Sequence, residues 1–292
     1  MVRSILTSII MATVSAFSLV SCATEPVQKE IGLQLYSIRE QINEDLNTSL
    51  DAVAEAGYTF VEMAGYNAQE GTFYGLSGDA FKELCNSKGL AVISSHINGP
   101  DPNVTPWEEC MTWWDKAIAD HLTTGVLYIV QPSMWKSAYE SLEGLSKYCE
   151  LFNAVGEKCN MAGIRFGYHN HAHEFTTVFD DVVLYDYMLQ NTDPEKVFFQ
   201  LDVYWSQIGG APAVEYLEKY PGRYDLWHVK DEKEIGASGE IDFQAIYEKA
   251  ELSGMKYAIV EQEAFDMAPF ESIKASYDYL NNAAYVKASY SE

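Results

Sequence analysis

From Ile31 onward the chain alternates short runs of β-branched, aromatic and aliphatic residues with longer stretches whose apolar positions recur every three or four residues. This alternation constrains the fold more than any other feature. The short runs cover residues 31–36, 60–63, 91–95, 126–130, 164–168, 197–202, 225–229 and 256–261. Most are nearly continuous in apolar residues, as strands buried on both faces of a parallel sheet must be. Between them, Leu142, Leu145, Tyr148, Phe152 and Val155 fall on one face of a helix. Phe243, Ile246, Tyr247 and Ala250 repeat the pattern after Asp242, a residue suited to an N-cap. Gly57, Gly89, Gly125, Gly163 and Gly254 each precede a strand, where a left-handed C-cap ends a helix.

Eight strands alternating with eight helices over about 260 residues predict an α/β fold, a single (β/α)8 TIM barrel. An open doubly wound sheet is the alternative. It lacks its usual sign here, because Gly32 is isolated and Ser37-Ile38-Arg39 follows Tyr36 where a Gly-rich phosphate loop would stand.

The N-terminus reads as a targeting segment. Arg3 precedes an uncharged apolar stretch over residues 4–20, and Leu19-Val20-Ser21-Cys22 resembles a bacterial lipobox. Residues 1–21 are therefore expected to be a lipoprotein signal peptide. Residues 22–30 would be a lipid-anchored linker, and residues 31–292 the catalytic barrel. Removing 21 of 292 residues leaves 271, enough for one such domain. Membrane attachment is expected only through a lipid on Cys22, which places the chain in the cell envelope, facing the periplasm or the cell surface. Of the remaining cysteines, Cys149 and Cys159 share a predicted helix at a separation of about 15 Å, beyond disulfide reach. Cys85 and Cys110 complete a set without CxxC spacing.

The formal charge of −24, from 43 acidic and 19 basic residues, opposes binding to phosphate backbones. Nucleic acid is not an expected partner; a neutral sugar or a cation is compatible with this field.

A barrel places its chemistry at the C-terminal strand ends. There the sequence puts Glu62, His96, the run His169-Asn170-His171-Ala172-His173-Glu174, then Asp202, His228 and Glu261. Five of the six histidines lie on this list; His121, in a helical segment, is expected to be a surface or packing residue. Carboxylates converging on one basin repel each other unless a cation is shared. Glu174, Asp202, His228 and Glu261 are accordingly the expected ligands of one divalent metal. Mixed imidazole and carboxylate donors suit Mn, Zn, Co or Fe, with Mn or Zn favoured. An ion-pair network with Lys230 and Arg223 is the competing account. Lys230 reaches the same basin only if its strand keeps alternating past His228. Trp205 and Trp135 stand on loops where an indole can stack on a sugar ring, and Tyr36 ends the first strand. With His96, Glu62 and Lys230, these are the expected substrate contacts.

The motifs Gly167-Tyr168-His169-Asn170-His171 with Glu174-Phe175, Leu201-Asp202-Val203-Tyr204-Trp205, His228-Val229-Lys230-Asp231, Gly239-Glu240-Ile241-Asp242-Phe243 and Val260-Glu261-Gln262-Glu263 resemble the signature of the xylose-isomerase-like sugar phosphate isomerase/epimerase superfamily. They run in barrel order across residues 31–284. The resemblance implies a metal held by Glu174, Asp202, His228 and Glu261, with the two glutamates flanking the substrate carbon that loses a proton. It departs at strand five. Epimerases of the tagatose/psicose type carry a glutamate within that strand, where this chain has His169 and His171, so the strand-five ligand stays open. In this respect the chain is more similar to relatives acting on inositol-derived or 3-keto sugars.

The expected chemistry is proton abstraction beside the carbonyl of a small keto-sugar, with Glu261 or Glu174 as base and His169, His171 or His96 as proton donor. Loss of a group β to the carbonyl would convert the same intermediate into the product of a lyase or dehydratase. A sugar-binding lipoprotein without catalysis is a third reading. A nuclease, by analogy with endonuclease IV of the same superfamily, conflicts with the acidic balance and the single ligand set.

Overall fold

The computed structural model describes residues 28–291. Eight parallel strands close into a barrel: β1 Ile31–Gln34, β2 Phe60–Met63, β3 Ala91–His96, β4 Tyr128–Gln131, β5 Arg165–His169, β6 Val197–Asp202, β7 Leu226–Val229 and β8 Tyr257–Val260. Each strand pairs with its sequence neighbours, and β1 closes the ring against β8 through Ile31↔Ala258 and Leu33↔Val260. The (β/α)8 barrel is thus present, with strand limits within two residues of those expected from the apolar runs. Shifts of two residues occur at the start of β4 and at the end of β1, which stops at Gln34. The Gln34 side chain accepts from Tyr36 N and turns the backbone into a 3-10 helix, Leu35–Ile38, so Tyr36 does not end the strand.

Period-two alternation splits each strand between two cores. Phe60, Tyr128, Val130, Phe198, Leu226 and Ile259 point inward and fill the barrel axis. Outward residues such as Val61, Ile129, Phe166, Tyr168, Leu201 and Val260 meet the helices. The inward positions become polar toward the strands' C-terminal ends, and this change positions the site.

Helix Trp107–Thr124 ends at Gly125, which takes φ +74° as the left-handed cap requires. Helix Leu142–Met161 carries both Cys149 and Cys159, and the four described cysteines are buried and free. Two small hairpins, Tyr66–Asn67 with Thr72–Phe73 and Val178–Phe179 with Val182–Val183, interrupt the alternation and had no periodic signal long enough to be read. The expected signal segment and lipid-bearing Cys22 lie outside the described residues. Among the described residues no helix is long and apolar enough to cross a membrane.

Candidate metal centre and cavity

At the C-terminal end of the barrel, His169 ends β5, Asp202 ends β6, His228 lies within β7, and Glu261 directly follows β8. One ligand atom from each lies within 4.8 Å of all the others, and all four residues are buried. His96, His169 and His228 form a second trio by the same measure. His169 Nδ1 and Asp202 Oδ2 are buried without any hydrogen-bond partner. Buried polar atoms are rarely left so, and two on residues of one cluster are what a bound cation would satisfy. The other Asp202 oxygen caps the following helix, accepting from Trp205 N at 2.8 Å.

The electrostatics agree. Burial pushes the Asp202 carboxyl up to about 7, against the pull of the Lys230 ammonium. Burial also works against a charged His228, but the Glu62 and Glu261 carboxylates outweigh it and raise the imidazole to about 10. Glu261 stays well below the usual carboxylate range despite its burial, because Lys230 and His228 stand beside it. Burial holds His169 well below the ordinary imidazole range, helped by the neighbouring imidazoles, and lowers His171 to about 4. Two neutral imidazoles therefore face a basin rich in carboxylate. The donor set of His169, Asp202, His228 and Glu261 fits one divalent ion with nitrogen and oxygen ligands.

The basin opens into a cavity of about 670 Å³. His96, His169, His171, His173, Glu261 and Glu263 form its polar wall, while Tyr36, Tyr66 and Trp113 supply aromatic surface. Among the described residues, none that lines it is Lys or Arg.

The family model described as xylose isomerase-like TIM barrel matches residues 50–283. The chain belongs to that family. It is similar to two structures of sugar phosphate isomerase/epimerase from Parabacteroides distasonis. The first is 35% identical, with a TM-score of 0.83 over 94% of this chain and 100% of that one. The second is 33% identical, with a TM-score of 0.80 over 89% and 100%. The IOLI protein, solved with a bound zinc atom, is 17% identical with a TM-score of 0.67 over 90% and 100%, and shares the fold. No curated protein matches the chain.

Within this xylose isomerase-like barrel, the expected site residues fall into three groups. Asp202, His228 and Glu261 converge, joined by His169 rather than by Glu174. The departure at Glu174 has a simple cause. Strand alternation stops after His169, and the chain turns into the short helix His173–Thr176 outside the barrel. There Glu174 accepts from the Tyr168 hydroxyl at 2.5 Å, the Tyr139 hydroxyl at 3.3 Å and His171 N at 2.8 Å. It is fully buried, stands outside the cluster and does not line the cavity.

His96 and Tyr36, named above as substrate contacts, and His171, named as a proton donor, line the cavity. Glu62, Lys230, Trp205 and Trp135 do not. Glu62 is sealed inside the barrel, with its oxygens occupied by protein donors. Lys230 continues the alternation of β7 and points inward, but its ammonium is held by Glu261 at 3.1 Å and Glu263 at 2.8 Å. The Trp205 ring lies under that ammonium, 5.2 Å away, and beside His171, so it packs the site wall. Trp135 is exposed and donates its indole N–H to Gly99 O. Arg223 bonds to Leu189 O and the Thr192 region, so it does not neutralise the cluster. His121 is fully buried between Ala117 O and Ser95 Oγ, a packing residue. His173 and Glu263, named above only within longer motifs and given no role, join the cavity wall. The alternation Glu261, Gln262, Glu263 was the available signal for Glu263.

Proposed function

We propose that this chain is a divalent-metal-dependent sugar isomerase or epimerase, acting beside the carbonyl of a small, neutral keto-sugar. One observation carries the proposal: the ligand-capable cluster of His169, Asp202, His228 and Glu261 adjoins the cavity through His169 and Glu261, with two buried polar atoms unpartnered. A bound Mn or Zn ion would supply Lewis-acid stabilisation of the charge developing on the carbonyl oxygen. Glu261 reaches both cluster and cavity, and Lys230 keeps it ionised, so it is the base that removes the adjacent proton. His171, neutral and lining the cavity, returns a proton on the other side. Tyr36, Tyr66 and Trp113 offer ring faces to the sugar. The absence of Lys and Arg from the lining argues for an unphosphorylated substrate, although the similar Parabacteroides proteins are called sugar phosphate isomerases/epimerases.

A lyase on the same site is the second reading, and the placement of Glu174 favours it. An epimerase works with a carboxylate on each face of the carbon, and here one cluster glutamate faces several imidazoles. Imidazoles suit protonation of a leaving oxygen.

Calorimetric titration with Mn and Zn tests the metal. Asp202→Ala and His228→Ala should each weaken binding by at least about tenfold; binding equal to that of the parent protein would remove the basis of the proposal. Deuterium uptake from heavy water at the carbon beside a keto-sugar carbonyl distinguishes either enzyme from a sugar-binding protein, which leaves that hydrogen in place.

A further inference from the structure

Beside the cluster, one carboxylate gathers side chains from four other strands. Glu62 on β2 accepts from Gln34 Nε2 of β1 at 2.7 Å, Ser94 Oγ of β3 at 2.5 Å, Gln200 Nε2 of β6 at 2.9 Å and His228 Nε2 of β7 at 2.5 Å. His96 Nε2 also stands 3.0 Å from its Oε1. Glu62 is completely buried and does not itself line the cavity, so it reaches substrate only through His96.

Around Glu62 itself the network permits one arrangement of hydrogens. An ionised carboxylate only accepts. The Gln34 carbonyl is already used by Tyr36 N, so its amide group faces Glu62. Gln200 likewise turns its amide group to Glu62, which leaves its carbonyl oxygen against His96 Nε2 at 2.7 Å. His96 Nε2 thus meets only acceptors and carries its hydrogen. His228 Nε2 meets only Glu62 and carries one too. The two rings lie nearly parallel, 15° apart with centroids 5.1 Å apart, and both present Nε2 to the same oxygen. Nδ1 of each is then the nitrogen that remains. In His228 it lies in the cluster, 3.2 Å from Glu261 Oε2, so any hydrogen it shares with that carboxylate is the one a bound metal ion would displace.

We propose that Glu62 is a positioning residue that fixes the tautomers of two site imidazoles at once, aiming the Nδ1 lone pair of His228 at the metal and leaving that of His96 for the substrate cavity. A carboxylate behind a ligating imidazole orients the ring and strengthens it as a donor. Here the same carboxylate also sets a second ring that lines the cavity. The His228 half of the inference rests on the metal-site reading above; the His96 half does not.

The test uses 15N-histidine-labelled protein and zinc, which is diamagnetic. Long-range 1H–15N spectra of the unmutated, zinc-loaded protein should show hydrogen on Nε2 and none on Nδ1 for both His96 and His228. Hydrogen on Nδ1 of either ring, with a bare Nε2, overturns the proposal without any mutation. Glu62→Gln should weaken zinc binding by roughly 10- to 100-fold and shift or broaden both Nε2–H signals. Zinc affinity within about twofold of the parent, in folded Glu62→Gln protein, would equally overturn it. If the unmutated protein binds no zinc, the metal-site reading fails instead, and the nitrogen signals of His96 decide the role of Glu62.

Discussion

Glu174 and His169 sit on opposite faces of the same strand end. Tyr168, the residue next to His169, turns outward and donates its hydroxyl to Glu174 at 2.5 Å, while His169 turns inward to within 4.8 Å of Asp202, His228 and Glu261. A single pleat of β5 therefore separates a carboxylate that anchors a loop from an imidazole that can hold a metal.

Glu174→Ala should damage stability and spare the metal. It strands the His171 N–H and leaves the buried Tyr168 hydroxyl with Tyr139 alone, at a cost of about 1–3 kcal/mol, while zinc affinity stays within about twofold of the parent. Urea unfolding and calorimetry measure the two effects. A large loss of zinc affinity would put Glu174 back in the ligand set.

Lys230→Met removes the ammonium that Glu261 and Glu263 share. Breaking a buried pair in this way costs about 3–5 kcal/mol. Because the deficit is one of positive charge, added Mn or Zn should raise the melting temperature of the variant more than that of the parent. Equal increments in the two proteins would contradict the electrostatic account.

Stability should fall on mild acidification because of His121. Burial lowers this imidazole from 6.5 to about 4, so between those values the unfolded chain binds a proton that the folded chain refuses. The contribution is fully present above pH 6.5 and is lost as pH falls toward 4, amounting to roughly 3 kcal/mol at most. Denaturant midpoints of the parent and His121→Asn at pH 7.5 and pH 5 test it. The variant should show the smaller loss between the two.

Neutral and phosphorylated forms of one keto-sugar should be turned over unequally. With carboxylates and imidazoles lining the cavity and no Lys or Arg among them, kcat/KM for the phosphorylated form should be lower by at least about tenfold. Higher activity on the phosphorylated sugar would require a cation that the cavity wall does not supply.

The alternation of apolar runs with helical periods was enough to determine the barrel, because strands buried on both faces and amphipathic helices are patterns of local sequence. It also placed Asp202, His228 and Glu261, since a residue at the end of a barrel strand has its direction set by the pleat. Glu174 was misplaced because it comes after the pleat ends, and a tight turn carries no periodicity from which direction can be read. Glu62 was misjudged for another reason. Its strand-end position matches that of a substrate contact, and only closure of the barrel brings Gln34, Ser94, Gln200 and His228 around it from four other strands. Residues distant in the chain decide whether a buried carboxylate meets solvent, a cation or a set of hydrogen-bond donors, and that choice exists only once the tertiary structure has formed.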